Sequence, residues 1–425
     1  MKEISIAHIS DVHLGYSSGK RITSNGTNLR VTDGYAAFAE AVDQMISEKV
    51  DVVIVAGDIF HQAHPDIRTI IETQGQLRRL ADKGIPVYIE AGNHDATDIR
   101  SEIPASGVLN EPKNNIFSYT DPYVVKEIFP GYFFHFLSHH AYTDQGETMK
   151  QIELIDGAIN ILVSHGSCFD TNMNVILHCP QEPREVVIPE FVMAMPWDYT
   201  FLGHIHERGW IGSKDGLTDT AGRKQFYGGS VIRRGFTDRP CKLDRGWTKW
   251  IVDKERNFTP TFFTVKQRPQ IDCSEVDASE LTAPEVEAKL LEQVKEIYDK
   301  YKAEDGSISN ENTPIVRQTV RGITPVVYIA VNWAKIASYT KNFLTYTLKR
   351  VDAETSERDE TVDPDAIESL NTSKDIVEAF TEWTEGVYGN EEKKIVNKEK
   401  VMTMAKGWLR EGQNKVLDNG EDDKN

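Results

Sequence analysis

Five short segments hold the residues able to ligate or react: DVHLG at 11–15, GDIFH at 57–61, GNHD at 92–95, SHG at 164–166 and GHIH at 203–206. They supply Asp11, His13, Asp58, Asn93, His94, His165, His204 and His206. That set is enough for two divalent ions and leaves one histidine over. Two ions about 3.5–4 Å apart need a bridging carboxylate, and Asp58 is the natural one. Such a pair activates water toward a phosphate ester and stabilises charge on the phosphoryl oxygens. The mix of hard and borderline donors suits Mn²⁺, Fe²⁺, Zn²⁺ or Co²⁺ better than Mg²⁺ alone. Each segment also has a plainer reading. A histidine after a strand is usually a hydrogen-bonded turn residue, and GD or GNHD can close an Asx-turn. The ordered set of five is what favours metal ligation.

The elements that must position these residues alternate. Residues 4–10 and 52–56 are apolar or β-branched runs and read as strands. Between them Tyr35, Phe38, Val42, Met45 and Ile46 recur at helical spacing, with Thr32 or Asp33 expected as N-cap. A second helix is expected over 66–83. Further strands are expected at 85–91, 133–138, 160–164 and 199–202. Each ligand segment then leaves the end of a strand, where α/β sheets place their sites.

Composition sets the bounds. A chain of 425 residues is too long for one core. The four cysteines, Cys168, Cys179, Cys241 and Cys273, show no CxxC pairing, which fits a reducing, cytoplasmic setting rather than a disulfide framework. The N-terminus reads as a first strand and not as a signal peptide, and no apolar run approaches membrane-spanning length. The net charge of −18 argues against nucleic acid at first sight. Residues 353–425 alone hold 19 Asp/Glu against 10 Lys/Arg, so half of that excess is local. A basic stretch, Arg233, Arg234, Arg239, Lys242, Arg245 and Lys249, is either a solvated face or a DNA contact.

The motif series resembles the calcineurin-like metallophosphoesterase superfamily. More narrowly it is similar to the SbcD-type DNA repair exonuclease subunit that partners an SMC-like ATPase. DVHLGY at 11–16 with Arg30, Asp33 and Phe38, GDIFH with His61 and Pro65, DYTFLGHIH at 198–206, and YGGSVIRRGF at 227–236 carry the narrower resemblance. It covers residues 1–265 well and the rest in outline. It implies an α/β fold: a metallophosphoesterase β-sandwich flanked by helices, with a small α/β capping domain and a C-terminal helical segment. It implies that Asp11, His13, Asp58 and His206 hold one ion, and Asp58, Asn93, His165 and His204 the other. Manganese is the expected metal. His94 would be a non-ligand histidine meeting the scissile phosphate, Asp95 would orient His94, and His61 would position a DNA end. Arg233, Arg234, Arg239 and Lys242 would contact DNA. The chain departs from the family pattern after His165, in GSCFD and the longer segment 167–197.

The expected domains are 1–265, a binuclear-metal nuclease; 266–352, a capping and DNA-recognition domain; and 353–425, an acidic linker, ATPase-binding helices and a disordered tail. Within 266–352 a strand is expected near 261–266, a helix at 284–302, a polar mobile linker at 303–322, a strand at 324–332 (TPVVYIAVN), and helix over 334–350. Two short helices are expected at 373–388 and 391–411. No GxxxxGK[ST] phosphate loop is present, so ATP hydrolysis needs another chain. The function implied is a metal-dependent DNA nuclease, acting on duplex ends and single strands with an SbcC-type, SMC-like ATPase, as a homodimer within a heterotetramer and without membrane. The alternatives are a phosphoesterase for nucleotides or small phosphodiesters, and a non-catalytic DNA-end-binding subunit. A protein phosphatase is disfavoured, because GDIFH lacks an arginine soon after GD.

Overall fold

A computed structural model describes residues 3–97, 99, 101–142, 147–168, 186–211, 224–236, 244–253, 255–351 and 360–361. The N-terminal part alternates strand and helix. Strands β1 (Ile4–Ile9), β2 (Val52–Ala56), β3 (Val87–Glu90) and β4 (Ile116–Tyr119) run parallel in one sheet. A second sheet is built from β5 (Tyr123–Phe129), β6 (Tyr132–Leu137), β7 (Ile159–His165), β8 (Tyr199–Gly203), β9 (Gly209–Trp210) and β10 (Gln225–Tyr227), in the order β5-β6-β7-β8-β10-β9. The chain then returns through β11 (Gly246–Val252) and β12 (Phe258–Thr264), giving the first sheet the order β12-β11-β1-β2-β3-β4.

Period-two alternation assigns the faces. Ile4, Ile6, Val52 and Ile54 pack with Phe134, Ile161, Val163 and Phe201 of the second sheet, and with Trp250 of β11, to form the layer between the sheets. The alternate residues Ala7, Ile9, Val53 and Val55 face helices α1 (Leu29–Ser47) and α2 (Ile67–Ala81). On the far side, Leu162, Leu202 and Tyr227 pack with Trp197 and with Val192 of the short α3 (Glu190–Met193). The result is a β-sandwich flanked by helices. Its core side chains are almost wholly buried, and each contributes about 1.5–3 kcal/mol.

The sequence placed the start of α1 one turn late. Asn28 caps it, its side chain accepting from Arg30 N at 2.8 Å. Asp33 lies inside the helix, paired with Arg30 (2.6 Å) and Arg268 (2.7 Å). Asp66 caps α2 by accepting from Thr69 N at 3.0 Å.

The described residues group into two compact units. The first is Met1–Asp272, ending in β13 (Gln270–Asp272), together with Gln293–Val316 and Ala337–Thr345. The second is Cys273–Glu292, Arg317–Ile336 and the described residues from Tyr346 on. Elements in the region 273–361 are β14 (Val276–Asp277), α4 (Ala283–Tyr301), β15 (Ile315–Arg321), α5 (Pro325–Ala330), α6 (Trp333–Thr340), β16 (Thr345–Val351) and β17 (Glu360–Thr361). In the second unit β14 pairs in parallel with β15 at Val276↔Val320.

Three expectations for this region change. The segment 324–332 is a helix, because Thr324 caps it (Val327 N to Thr324 Oγ1, 3.3 Å) and Pro325 occupies its first turn; these start signals outweigh the β-branched run. The supposed linker 303–322 contains β15, whose residues alternate between buried and half-buried. The stretch 334–350 is a short helix followed by a strand, since α6 ends at Thr340 and β16 starts at Thr345. The helices expected at 373–388 and 391–411 lie outside the described residues. Among the described residues no helix is long and apolar enough to cross a membrane.

Candidate metal centre

All eight candidate residues gather at the carboxyl ends of parallel strands in the first unit. Asp11 and His13 follow β1, Asp58 follows β2, and Asn93 and His94 follow β3. His165 ends β7, and His204 and His206 follow β8. Neighbouring strands of both sheets thus aim their loops at one place.

The local backbone is unusual there. Seven non-glycine residues have positive φ among the described residues, and four of them are in this set: Asp11 (49°), His13 (48°), Asp58 (52°) and His204 (97°). The left-handed region costs about 1–2 kcal/mol per residue, so the surroundings must enforce it. Backbone hydrogen bonds stitch the first two loops together: Asp11 N to Gly57 O (3.2 Å), His13 N to Asp58 O (3.0 Å) and Leu14 N to Ile59 O (2.9 Å). Side chains finish the lock. The Asp11 carboxylate accepts from His204 N (3.0 and 3.1 Å), and Asp58 Oδ1 accepts from His94 N (2.8 Å). A Cβ at Gly57 would collide with the His165 ring, and one at Gly92 with the Asp58 carboxylate, which explains the glycines preceding these ligands.

The ligand atoms converge in two groups, Asp11–His13–His206 and Asp11–Asp58–His165, each with its donors within 4.8 Å of one another. His13 Nε2 faces His206 Nε2 at 3.1 Å and Asp58 Oδ2 at 3.6 Å. His165 Nε2 lies 3.2 Å from Asp58 Oδ2 and 3.0 Å from Asn93 Oδ1, and His204 Nδ1 lies 3.1 Å from the same Asn93 oxygen. Donors about 2.1 Å from one ion stand about 3.0–3.4 Å from each other, so these separations match edges of a coordination shell. Asp11 belongs to both groups, and Asp58, a member of the second, comes within 3.6 Å of His13 Nε2 in the first. His165 Nδ1 meets the carbonyl of Ala56 at 3.0 Å, which fixes its Nε2 as the inward atom. A third group, His13–His61–His94, also brings its nitrogens together.

The electrostatics fit a cation. Burial opposes charge on His165, but the carboxylates of Asp58 and Asp11 outweigh it and push the imidazole up to about 10. Asp58 is held below the usual carboxylate range: burial raises it, and His165 and His94 more than compensate. Burial holds His13 well below its ordinary value, and the positive charge of Arg234 adds to that.

Asp95 does not meet His94. Its carboxylate accepts from Phe60 N (2.9 Å), Gly92 N (3.1 Å) and Ile59 N (3.3 Å), tying the Asp58 loop to the Asn93 loop. The group facing His94 Nδ1 is the carbonyl of His61, at 2.8 Å. The His61 and His94 rings stack at 5.2 Å, and Tyr16 packs edge-on to His61 at 5.0 Å.

The basic stretch does not form one exposed face. Arg234 Nη2 lies 3.3 Å from His206 Nδ1, buried Arg245 donates to the His206 carbonyl, and Lys249 pairs with Glu48 at 3.0 Å. The backbone of Arg233 is fixed by Gln267 (3.0 Å). Arg239 and Lys242 lie outside the described residues. His8, His135, His139 and His140 are buried; His8 stacks on Phe201 at 4.9 Å and His135 bonds Asn160 at 3.0 Å.

Two groups beside the site were not foreseen. Arg245 passed for a surface charge. Glu90 ends β3 fully buried, with neither carboxyl oxygen bonded among the described residues, and burial first, then Asp95 and Asp58, raise its pKa far above the ordinary value. A lone Glu inside the apolar run IPVYIEA was its only signal.

Residues 4–208 match the calcineurin-like phosphoesterase family. Similar chains include the DNA double-strand break repair protein Mre11 of Haloferax volcanii, 29% identical over 272 residues (62% of this chain, 51% of that protein). Those of Saccharolobus solfataricus and Methanococcus maripaludis are 32% and 26% identical, over 29% and 48% of this chain and 32% and 52% of their own lengths. The chain therefore spans about half or less of these relatives. Among solved structures, a dimetal phosphatase from Danio rerio is similar over 61% of this chain and 99% of its own, at 12% identity and a TM-score of 0.35. A Pseudomonas putida nuclease, MPE, is similar over 43% and 72%, at 18% identity and a TM-score of 0.21.

Proposed function

We propose that this chain, whose residues 4–208 form a calcineurin-like phosphoesterase domain, is a metal-dependent DNA repair nuclease that hydrolyses phosphodiesters. The observation that carries the reading is the convergence of Asp11, His13, Asp58, Asn93, His165, His204 and His206, with donor separations of 3.0–4.0 Å, around a buried acidic centre. Asp11, His13, Asp58 and His206 would hold one divalent ion; Asp58, Asn93, His165 and His204 the second. Manganese is our choice of metal. Bound ions would supply Lewis-acid activation of water and of the phosphoryl group. The chain's own residues do the rest. His94, fixed through Nδ1 by the His61 carbonyl, presents its other nitrogen to the phosphate or the leaving oxygen, where it stabilises negative charge or donates a proton. His61, stacked on His94, positions a duplex end. Arg233, Arg234, Arg239 and Lys242 contact the DNA backbone.

The relatives' role in double-strand break repair supports DNA as substrate over a small phosphodiester. The family resemblance supports both duplex-end exonuclease and single-strand endonuclease action, a capping role for 266–352, and docking of 353–425 on an SbcC-type, SMC-like ATPase. A homodimer within that assembly is supported by Ile67 and Ile71 on α2, 74% and 60% exposed, and by Ile103, 77% exposed. The test is manganese-dependent release of nucleotides from linear duplex DNA, compared with hydrolysis of a small chromogenic phosphodiester. Preference for the small substrate with no nucleotide release would overturn the nuclease reading. Truncation after Val351 should abolish co-purification with the ATPase and leave the small-substrate activity.

A further inference from the structure

We propose that Tyr16 is a positioning residue: its ring sets the orientation of the His61 imidazole against His94, and through His61 it governs cutting at duplex ends. This rests on the reading above that His61 positions a duplex end.

The contact follows from register. Beyond β1 and β2 the chain continues as two parallel segments, bridged at Leu14 and Phe60. Leu14 N donates to the Ile59 carbonyl (2.9 Å), and His61 N donates to the Leu14 carbonyl (3.0 Å). Gly15 then turns the chain at φ 90°, and Tyr16 N closes the turn on the His13 carbonyl at 3.1 Å. That turn brings the Tyr16 ring edge-on to His61, with centroids 5.0 Å apart and planes at 90°. The His61 imidazole also stacks on His94 (5.2 Å, 19°) and meets His13 edge-on at 5.5 Å. Three rings thus bear on the plane of His61.

Tyr16 is itself held on several sides. Its hydroxyl donates to the Arg234 carbonyl at 2.6 Å. The guanidinium of Arg30, buried and paired with Asp33, lies over its ring at 5.7 Å. The ring also packs against the core beneath α1 and α2. A ring fixed in this way gives His61 a rigid neighbour. An edge-to-face pair has a preferred geometry, which an aliphatic side chain of similar bulk does not offer.

The backbone separates this role from the chemical step. His94 Nδ1 meets the His61 carbonyl at 2.8 Å, and His61 N is held by Leu14. Both are main-chain contacts of His61. Loss of the Tyr16 ring frees the His61 side chain and leaves them in place. His94 keeps its orientation, and the group that moves is the one assigned to the DNA end.

The test uses the full Mn²⁺-loaded chain, a linear duplex and a circular single strand. Wild type, Tyr16→Phe and Tyr16→Leu are compared, alone and combined with His61→Ser. The ratio of duplex-end to single-strand cutting should fall roughly 3–10-fold in Tyr16→Leu, the range of one edge-to-face contact. It should fall less in Tyr16→Phe, which keeps the ring and loses only the hydroxyl anchor. With His61→Ser present, Tyr16→Leu should cause no further fall, because Tyr16 acts through His61. An unchanged ratio in Tyr16→Leu overturns the proposal. So does a further fall in the double variant, and so does an equal fall in Tyr16→Phe, which would assign the effect to the Arg234 anchor. NMR of isotope-labelled histidine supplies a readout without turnover. The His61 signal, assigned by its loss in His61→Ser, should be sharp in wild type and Tyr16→Phe and broadened or split in Tyr16→Leu. An equally sharp signal in Tyr16→Leu overturns the proposal as well. If the signal responds as stated while wild type cuts no DNA, the hold of Tyr16 on His61 stands and the nuclease reading falls.

Discussion

Asp95→Ala tests how the site is held together. The carboxylate is buried and accepts from Phe60 N, Gly92 N and Ile59 N at 2.9, 3.1 and 3.3 Å. The variant leaves those buried amides without that acceptor. At about 1–3 kcal/mol for each unsatisfied amide, with one contact long, the penalty is ~2–6 kcal/mol. A second effect opposes it. Burial and the charge of Asp58 push the Asp95 carboxyl up to about 7. The folded state therefore binds this proton more tightly than the unfolded chain, whose Asp titrates near 3.9. Stability from the group is complete below about pH 4 and is lost as pH rises through 7. From about pH 5.5 upward some 1.5 units of that loss remain, or about 2 kcal/mol. Alanine has no such group, so its penalty should shrink by ~2 kcal/mol between about pH 5.5 and 8.5. Urea denaturation of both proteins in chelator, at the two pH values, measures it. A penalty below about 1 kcal/mol at the lower pH, or one that stays constant, would refute the account.

Asp58→Ala should lose both ions and all turnover, whereas His94→Ala should keep the metal and lose turnover; elemental analysis separates them, and metal loss in the His94 variant would make it a ligand. His61→Ser should suppress cutting at duplex ends while sparing single-strand cleavage, and equal loss of both would place His61 in the shared chemical step. Burial holds His8 down at about 3. Its contribution is therefore present above about pH 6.5 and lost as pH falls toward 3, and His8→Leu should flatten acid unfolding over that window; an unchanged acid midpoint counts against this. His165, raised to about 10, must shed a proton to ligate, so Mn²⁺ uptake near neutral pH should release about one proton from it. Buffer-dependent binding enthalpy reads that proton, and its absence would show that His165 is neutral before metal arrives.

The convergence of the candidate residues was legible because each follows an apolar run closed by Gly, Asp or His, and such runs become parallel strands with a common carboxyl end. What was illegible depends on pairs far apart in the chain. That Asp95 serves the amides of Ile59 and Phe60 requires β2 and β3 to be neighbours, and GNHD by itself suggests only that Asp95 helps His94. That Arg245 and Arg234 flank His206 requires the chain to return through β11 to the first sheet. The start of α1 was missed because Asn28 sits in a polar stretch where several residues could cap. The helix α5 was missed because Val326, Val327 and Ile329 suggest a strand until Thr324 and Pro325 are weighed as a start signal. The strand β15 has alternation, Val316, Gln318 and Val320 on one face, but polar residues diluted it.

The same features that make the site readable make it unfavourable by itself. Four left-handed residues cost about 1–2 kcal/mol each, and two carboxylates lie buried beside converging imidazoles. The scaffold offsets part of this through the Asp11–His204 and Asp58–His94 hydrogen bonds and the loop-to-loop backbone pairs. The Asp58 and Asp11 carboxylates also favour a proton on His165, pushing its pKa up to about 10 against burial. That proton occupies electrostatically the place an ion would take. A divalent ion would bring more positive charge to the two carboxylates than that proton does, and would engage several of the converging donors at once. The strained backbone and the ligand set are thus one feature, and a fold relieved of the strain by glycine at Asp11, His13, Asp58 or His204 would lose the ligand along with it.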